Sequence, residues 1–284
     1  IGSCIPFAAC LVLVLLSGEI GISMELAMGI SFVVVALWWL GMSMPLVKKY
    51  EQRHYVQKQP HAVRQSFVRL GNTFKNIRKE KHVFMFLLAF FFYIDGVYTI
   101  IDMATAYGSA LGLDSTGLLL ALLVTQIVAF PCAILFGHLS YKVSTEKLIA
   151  VCICAYFGIA IFAIFLRTQI QFWILAVLVG MFQGGIQALS RSYFTKIIPE
   201  ERSGEYFGLM DICGKGASFV GTTIVSIVSQ ITGNISMGVG MIAILFCIGI
   251  VIFFKSVSMA KKHESNTVDT NKNTGAGFVE AGTV

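Results

Sequence analysis

Charged side chains are scarce in this sequence of 284 residues: Asp, Glu, Lys and Arg make up 13% of it, while 56% is hydrophobic. Soluble domains are about a quarter charged, so the composition excludes an ordinary soluble protein. Common enzyme patterns are also missing, since the chain contains no H-E-x-x-H, G-x-S-x-G or C-x-x-C. The seven cysteines all lie within apolar runs, as small hydrophobic side chains do in a membrane interior. We therefore expect a membrane protein that is not an enzyme and needs no cofactor or metal.

Long apolar runs dominate what is present. A helix needs about 20 apolar residues to cross the roughly 30 Å hydrocarbon core. Eight runs approach or reach that length, at about residues 3–16 (short), 24–44, 83–107, 115–137, 148–166, 172–190, 206–230 and 236–254. Because a spanning helix satisfies its own backbone hydrogen bonds, the runs predict an all-α, polytopic membrane bundle. The chain begins inside an apolar run without Met or a basic flank, which favours a piece of a longer protein over a cleaved signal peptide.

Basic residues are concentrated on one side of the predicted spans. Residues 45–82 carry ten Lys and Arg against Glu51 and Glu80, and the later loops on the same side are also basic. The opposite side holds one cation, Arg167. Since Lys and Arg favour cytoplasmic loops, we expect residues 45–82 and the C-terminus to be cytoplasmic.

The basic segment has the pattern of an amphipathic helix over residues 61–80. Val63, Phe67, Leu70, Phe74 and Ile77 recur three or four residues apart, which places them on one helical face. Two interpretations are open: the stripe rests on anionic lipid, or it packs on the protein. Beyond the last span, residues 256–284 are polar and predict a disordered tail.

Buried polarity is confined to four of the predicted spans, and in each span with several polar residues the spacing puts them on one helical face. The residues concerned are Asp95, Tyr98, Asp102, Gln126, Gln183, Gln187, Asp211 and Lys215. A carboxylate at the bilayer centre costs about 2.5–3.5 kcal/mol. We therefore expect these side chains to border one shared aqueous cavity.

Purely structural explanations also remain open for part of this set. Asp211 and Lys215 are four residues apart and can neutralise each other within their own helix. Paired glutamines can hold neighbouring helices together, and the Gly180-x-x-x-Gly184 spacing predicts the close approach of another helix.

The loop GHLSYKVSTEK (137–147) resembles the signature of the major facilitator superfamily, with Gly137, Leu139, Lys142 and Lys147 in place. It departs from that signature at positions 141, 144 and 146. Within the superfamily, four blocks together resemble the vacuole-effluxer-like branch: DGVYTII (95–101), QIVAFPCAILFG (126–137), QGGIQALSRSYFTKIIPEERSGEYFGL (183–209) and GK (214–215).

The resemblance implies a major facilitator fold with twelve spans in two bundles, of which about eight are present. Residues 1–44 would be the last two spans of the N-terminal bundle, 45–82 the cytoplasmic interdomain loop, 83–255 the C-terminal six-helix bundle, and 256–284 the tail. It further implies that the helices with polar residues surround the transport cavity.

The resemblance implies a secondary active transporter, a monomer that moves a small polar, amino-acid-like solute by alternating access, with a proton as the coupling ion. Asp95 would exchange the proton or pair with an ammonium group, and Lys215 would attract a carboxylate. Arg191 would belong with the gating loop. We expect a bacterial cytoplasmic membrane, or the vacuolar membrane in a fungus, and no nucleic-acid partner. The alternative is a non-transporting membrane sensor or scaffold.

Overall fold

The computed structural model describes residue 2, residues 4–51 and residues 62–276, without the side chains of 62–67, 69, 201, 263–264 and 266–276. The described residues form ten α-helices and a 3-10 turn at Glu200–Arg202, with no strand among them. The helices are α1 (Cys4–Leu15), α2 (Ser17–Ile20), α3 (Met24–Lys49), α4 (Ala62–Ile77), α5 (Lys81–Ala110), α6 (Ser115–Leu139), α7 (Thr145–Ile164), α8 (Gln169–Ile197), α9 (Ser203–Thr232) and α10 (Ile235–Ala276).

Seven of these helices are long and apolar enough to cross a membrane. They are α3 and α5 to α10, the last as far as Lys262, and α1 is a shorter apolar helix. Each helix coincides with one of the runs recognised in the sequence. The predicted all-α polytopic bundle is therefore confirmed.

Polar residues fix the starts of several spanning helices. Ser23, Asp114 and Thr168 precede α3, α6 and α8, and each accepts a hydrogen bond from a backbone N–H in the first turn. Such caps satisfy donors that have no partner within the helix. Gly233 ends α9 with a φ of 65°, a left-handed conformation that glycine adopts without steric cost. The connections between successive helices from α5 to α10 are short, so these spans run antiparallel to their neighbours in the chain.

Helix α5 lies at the centre of the bundle and packs against each helix from α6 to α10. Near its N-terminal end, the Phe86 ring contacts Tyr193 and Phe194 of α8 and Phe253 of α10. About two turns further along α5, Tyr93 Oη and Ser190 Oγ are 2.7 Å apart in a fully buried contact. This aromatic core fixes α5 between α8 and α10, while α7 and α10 pack together behind it.

Helices α6 and α8 approach closely where α8 carries small residues. A Cβ on Gly180 would lie 2.6 Å from the Thr125 carbonyl oxygen, and one on Gly184 would lie 2.8 Å from Ala133 Cβ. Thr125 Oγ1 also donates a hydrogen bond to the Ala176 carbonyl oxygen across the interface, at 3.1 Å. The partner of the Gly180-x-x-x-Gly184 pattern is therefore α6.

The first helices pack loosely on the remainder of the described chain. Helix α1 contacts α3 and α6, with Cys4 Sγ 3.7 Å from the Gln126 carbonyl oxygen. In α3 only Ala27 is buried. The assignment of residues 1–44 to an N-terminal bundle stays a prediction.

The linker helix α4 docks on the bundle through the described part of its stripe. Ile77 and Thr73 are buried, and Thr73 Oγ1 donates a 2.8 Å hydrogen bond to Glu205 Oε2 at the start of α9. The rings of Phe74 and Phe84 meet edge to face with centroids 6.4 Å apart. The second interpretation of the stripe, packing on the protein, fits this part; the side chains of residues 63 and 67 lie outside the description.

Helix α10 continues past the membrane as far as Ala276, whereas the sequence predicts a disordered tail over 256–284. Residues 256–274 contain neither Pro nor Gly, so nothing in their covalent structure ends a helix that is already nucleated by the apolar span. Residues 277–284 lie outside the description.

Candidate functional site

A polar cleft opens between α5, α8 and α9. Its lining residues are Phe90, Ile94, Tyr98, Gln187, Arg191, Met210, Asp211, Gly214 and Lys215. Arg191 lies six residues before the end of α8, and Asp211 lies eight residues after the start of α9. At about 1.5 Å per residue, the cleft is roughly 10 Å inside the bundle from the 198–202 turn.

An ion pair crosses this cleft. Arg191 Nη2 lies 2.8 Å from Asp211 Oδ1, and the two side chains are 59% and 49% exposed. Mutual neutralisation of Asp211 and Lys215 was one explanation left open by the sequence, whereas the ion pair in the structure joins Asp211 to Arg191. Spacing along one helix identifies partners only within that helix, and Arg191 reaches Asp211 from another one.

Arg191, expected with the gating loop, lies within α8 and lines the polar cleft. Its gating role stays a prediction. With Lys215, Arg191 gives the cleft two cations against the single carboxylate of Asp211. The cleft therefore carries an excess of one positive charge and offers further hydrogen bonds from Tyr98 and Gln187.

A second, largely apolar pocket lies between α5, α6 and α8. It is lined by Ile100, Ile101, Ala104, Leu122, Thr125, Gln126, Phe172, Leu175, Ala176, Val179 and Gln183. Gln183 Oε1 is buried and has no hydrogen-bond partner among the described residues. The pocket thus combines an apolar wall with an unused acceptor.

The polar cleft and the apolar pocket follow one another along the same two helices. On α8, Arg191, Gln187 and Gln183 are four residues apart and therefore share a face. On α5, Tyr98 lines the polar cleft and Ile101, three residues on, lines the apolar pocket. The polar cleft is lined by α5, α8 and α9 and the apolar pocket by α5, α6 and α8. Taken together, these are the four helices in which the sequence showed buried polarity.

Asp95 lines neither cavity. It is fully buried between α5 and α9, where its Oδ1 accepts hydrogen bonds from the Gly221 N–H at 2.8 Å and from Thr99 Oγ1 at 3.3 Å. Its other oxygen, Oδ2, is buried and has no hydrogen-bond partner among the described residues. Gly221 has no space for a Cβ, which would meet Thr99 Oγ1 and Asp95 Oδ1.

Asp102 lies on an exposed surface of the bundle, where Ser218 Oγ donates a 2.8 Å hydrogen bond to its Oδ2. Arg191, Asp211 and Lys215 are exposed as well. We call these five residues the polar face. Charged side chains in a spanning helix are costly against lipid, so the polar face is suited to contact with water or with further protein.

The residues of the loop signature lie together between α6 and α7. Gly137 and Leu139 belong to the last turn of α6, Lys142 to the connecting turn and Lys147 to the first turn of α7. Both lysines are exposed. Close by, Lys196 Nζ donates a 3.0 Å hydrogen bond to Thr145 Oγ1.

The structure therefore does not collect the predicted residues around one cavity. Tyr98, Gln187, Asp211 and Lys215 share the polar cleft; Gln126 and Gln183 share the apolar pocket; Asp95 is enclosed at the α5–α9 contact; and Asp102 is on the polar face. Asp95 and Tyr98 are three residues apart on α5 but have different surroundings: Asp95 is bonded to Gly221 of α9, whereas Tyr98 lines the polar cleft.

Comparison with known proteins identifies relatives over most of the chain. Residues 1–266 match the family model described as vacuole effluxer Atg22 like. An uncharacterized MFS-type transporter of Bacillus subtilis, YxiO, is 46% identical over 254 residues, which are 89% of this chain and 59% of that protein. Autophagy-related protein 22 of Cryptococcus neoformans is 26% identical over 238 residues, 76% of this chain and 41% of the relative. Autophagy-related protein 22 of Saccharomyces cerevisiae is 30% identical over 181 residues, 60% of this chain and 34% of the relative.

The chain thus spans about three fifths of the bacterial relative and less of the fungal ones. These relatives are named as a transporter and as autophagy proteins, not as enzymes. The match over residues 1–266 confirms the resemblance seen in the sequence: the chain belongs to the Atg22-like vacuole effluxer family of multi-pass membrane proteins.

Proposed function

We propose that the chain is part of a secondary active transporter that moves a small, amino-acid-like solute by alternating access and is coupled to protons. The polar face carries this proposal. It places Arg191, Asp211 and Lys215 within candidate spanning helices with exposed side chains, and charged groups in such helices normally face water or other protein groups. A solute pathway bordered by α5, α8 and α9 supplies that water.

The polar cleft has the chemistry to hold the carboxylate end of a solute. Arg191 and Lys215 attract a carboxylate, and Tyr98 and Gln187 provide hydrogen bonds beside them. In the adjoining apolar pocket, Gln126 and Gln183 provide further polar contacts within an apolar wall. Small-molecule sites commonly combine an apolar wall with a few polar groups in this way.

Asp95 is the candidate proton site because its Oδ2 is buried without a partner between two helices that line the cleft. A proton on Oδ2 would remove a negative charge from the α5–α9 contact while Oδ1 keeps its hydrogen bond to Gly221. Proton occupancy would then alter the contact between α5 and α9. A proton that binds one conformation of the bundle better than the other would in this way couple proton binding to the conformational change.

The positive-inside rule supports a cytoplasmic location for the 45–82 segment, the α6–α7 turn and the C-terminus, in a bacterial cytoplasmic or a fungal vacuolar membrane. Lys75, Arg78 and Lys79 are exposed beside docked α4 and would meet anionic headgroups. The transporter is proposed to act as a monomer, with Gly137, Leu139, Lys142 and Lys147 in the loop that opens and closes its inner side.

The proposal is tested with the full-length protein in proteoliposomes loaded with labelled amino acids, with and without an imposed pH gradient. We expect efflux that the gradient accelerates, loss of that acceleration in Asp95→Asn, and reduced efflux in Lys215→Gln. Lys255→Gln, which removes an exposed cation of α10 outside the cleft, is the matched control. Equal behaviour of all four proteins without net transport would instead indicate a sensor or scaffold.

A further inference from the structure

The ion pair of the polar cleft points to a role for Asp211 that goes beyond lining a pathway. We propose that Asp211 occupies, on Arg191, the place of the solute's carboxylate, so that the solute binds by exchanging with Asp211. This inference rests on the proposed function and specifies how its site selects a solute. It makes Arg191 the anion receptor and Asp211 a built-in competitor.

The geometry of the pair is that of a bound carboxylate. Asp211 Oδ1 accepts from one terminal nitrogen of the Arg191 guanidinium at 2.8 Å, a normal distance for a charge-assisted hydrogen bond. The guanidinium can bind a carboxylate through two parallel hydrogen bonds. A free carboxylate in the cleft can therefore make at least the contact that Asp211 makes now.

Exchange is easy because the pair is open to solvent. More than half of the Arg191 side chain and about half of the Asp211 side chain are exposed. Ion pairs with this exposure contribute little net stability, because water screens them and both side chains lose freedom. Release of Arg191 from Asp211 therefore does not oppose solute binding strongly.

Released Asp211 has a second cation within reach. Lys215 lies one helical turn further along α9 and lines the same cleft, and carboxylates pair favourably with lysines four residues later in a helix. Binding would thus convert one ion pair into two, solute with Arg191 and Asp211 with Lys215. Both cations of the cleft are then matched by carboxylates.

This exchange sets a specificity. A solute with a carboxylate can replace Asp211, whereas its neutral amide offers no charge to compete for Arg191. Removal of the Asp211 charge should strengthen solute binding, because the competitor is gone. If Asp211 were instead a ligand for the solute's ammonium group, the same change would weaken binding.

The test measures binding to the full-length protein purified in detergent. The twenty amino acids are screened by thermal shift, and the strongest binder is compared with its carboxamide by calorimetry. We expect the amide to bind at least about tenfold more weakly. We expect Asp211→Asn, and Asp211→Ser as a second variant, to bind the acid about two- to fivefold more tightly. Arg191→Lys should bind it about tenfold more weakly, and Lys255→Gln should match the native protein.

Weaker binding by both Asp211 variants, equal binding of acid and amide, or binding of none of the twenty amino acids would overturn the exchange. The proteoliposome assay separates this failure from failure of the proposed function. Efflux with native rates in both Asp211 variants and in Arg191→Lys would leave transport standing without the exchange. Absence of efflux from the native protein would reject the transport proposal itself.

Discussion

At the scale of single residues, the contact between Asp95 and Gly221 is the tightest constraint on the bundle. A Cβ at Gly221 would meet the Asp95 carboxylate and the Thr99 hydroxyl, so the two helices can lie this close only because position 221 has no side chain. The N–H of the same glycine donates to Asp95 Oδ1. One residue thus provides both the space and a hydrogen bond for a buried carboxylate.

We predict that Gly221→Ala lowers stability by about 1–3 kcal/mol, because the added methyl group forces α5 and α9 apart. The measurement is the thermal unfolding midpoint of the full-length protein in detergent. Gly208→Ala on the same helix is the control, since a Cβ there meets nothing within 4 Å. Alanine is favoured over glycine in a helix, so the control should unfold at the native temperature or slightly above it. Equal midpoints for the two variants would contradict the contact.

The sequence indicates that Asp95 needs a protein environment, but it does not identify Gly221 as the partner. Helical spacing along α5 gives the direction of each side chain relative to its own helix, while the neighbour on that side depends on how six helices pack. Arg191 illustrates the same limit. The sequence gives no indication that Arg191 of α8 meets Asp211 of α9, and the tertiary structure reveals this ion pair.

At the scale of elements, the docking of α4 links the long basic segment to the start of α9. The contact combines buried Ile77 with a hydrogen bond from Thr73 to Glu205. Movement of α9 would therefore be transmitted to α4, which belongs to the chain segment between the first spans and the six-helix bundle.

We predict that Thr73→Val loosens α4, because valine keeps the shape of threonine but removes the donor to Glu205. A lost hydrogen bond of this kind costs about 1 kcal/mol, which corresponds to about fivefold faster hydrogen exchange in residues 70–80. Asn72→Ala, at the exposed neighbouring position, should exchange at the native rate. Unchanged exchange in Thr73→Val, or equal acceleration in both variants, would show that the hydrogen bond does not hold the helix.

The elements themselves were largely predictable from the sequence. Each run of about 20 apolar residues became a helix, because a chain in lipid has few other ways to pair its backbone groups. Two segments outside the apolar runs were less predictable. The stripe of α4 is compatible with lipid or protein, and the segment after residue 255 is polar enough for either disorder or a helical extension; hydropathy does not distinguish these outcomes.

At the scale of the whole molecule, the orientation in the membrane can be tested at Lys142 and Arg167, which lie on either side of one spanning helix. Helix α7 spans the membrane once between them, so the two residues must lie on opposite sides. We predict that Arg167→Cys in a cysteine-free full-length protein reacts with an impermeant maleimide on intact cells. Lys142→Cys should react only after the cells are permeabilised. The reverse pattern would invert the topology.

Exposure alone does not tell whether the polar face meets water or lipid. Asp102 of α5 and Val251 of α10 are both exposed within spanning helices. Asp102 is bonded to Ser218 and belongs to the polar face, whereas Val251 is an apolar side chain of α10 that is 68% exposed.

A thiol reacts with a charged methanethiosulfonate only as the thiolate, and a thiolate forms readily in water but not in lipid. We therefore expect Asp102→Cys, in the same cysteine-free protein, to react at least about tenfold faster than Val251→Cys. An excess of an amino acid that is transported should slow only the reaction at position 102. Equally slow reaction at the two positions would mean that position 102 faces lipid as position 251 does, and the charges of Arg191, Asp211 and Lys215 would then lack the aqueous pathway that makes them tolerable in spanning helices.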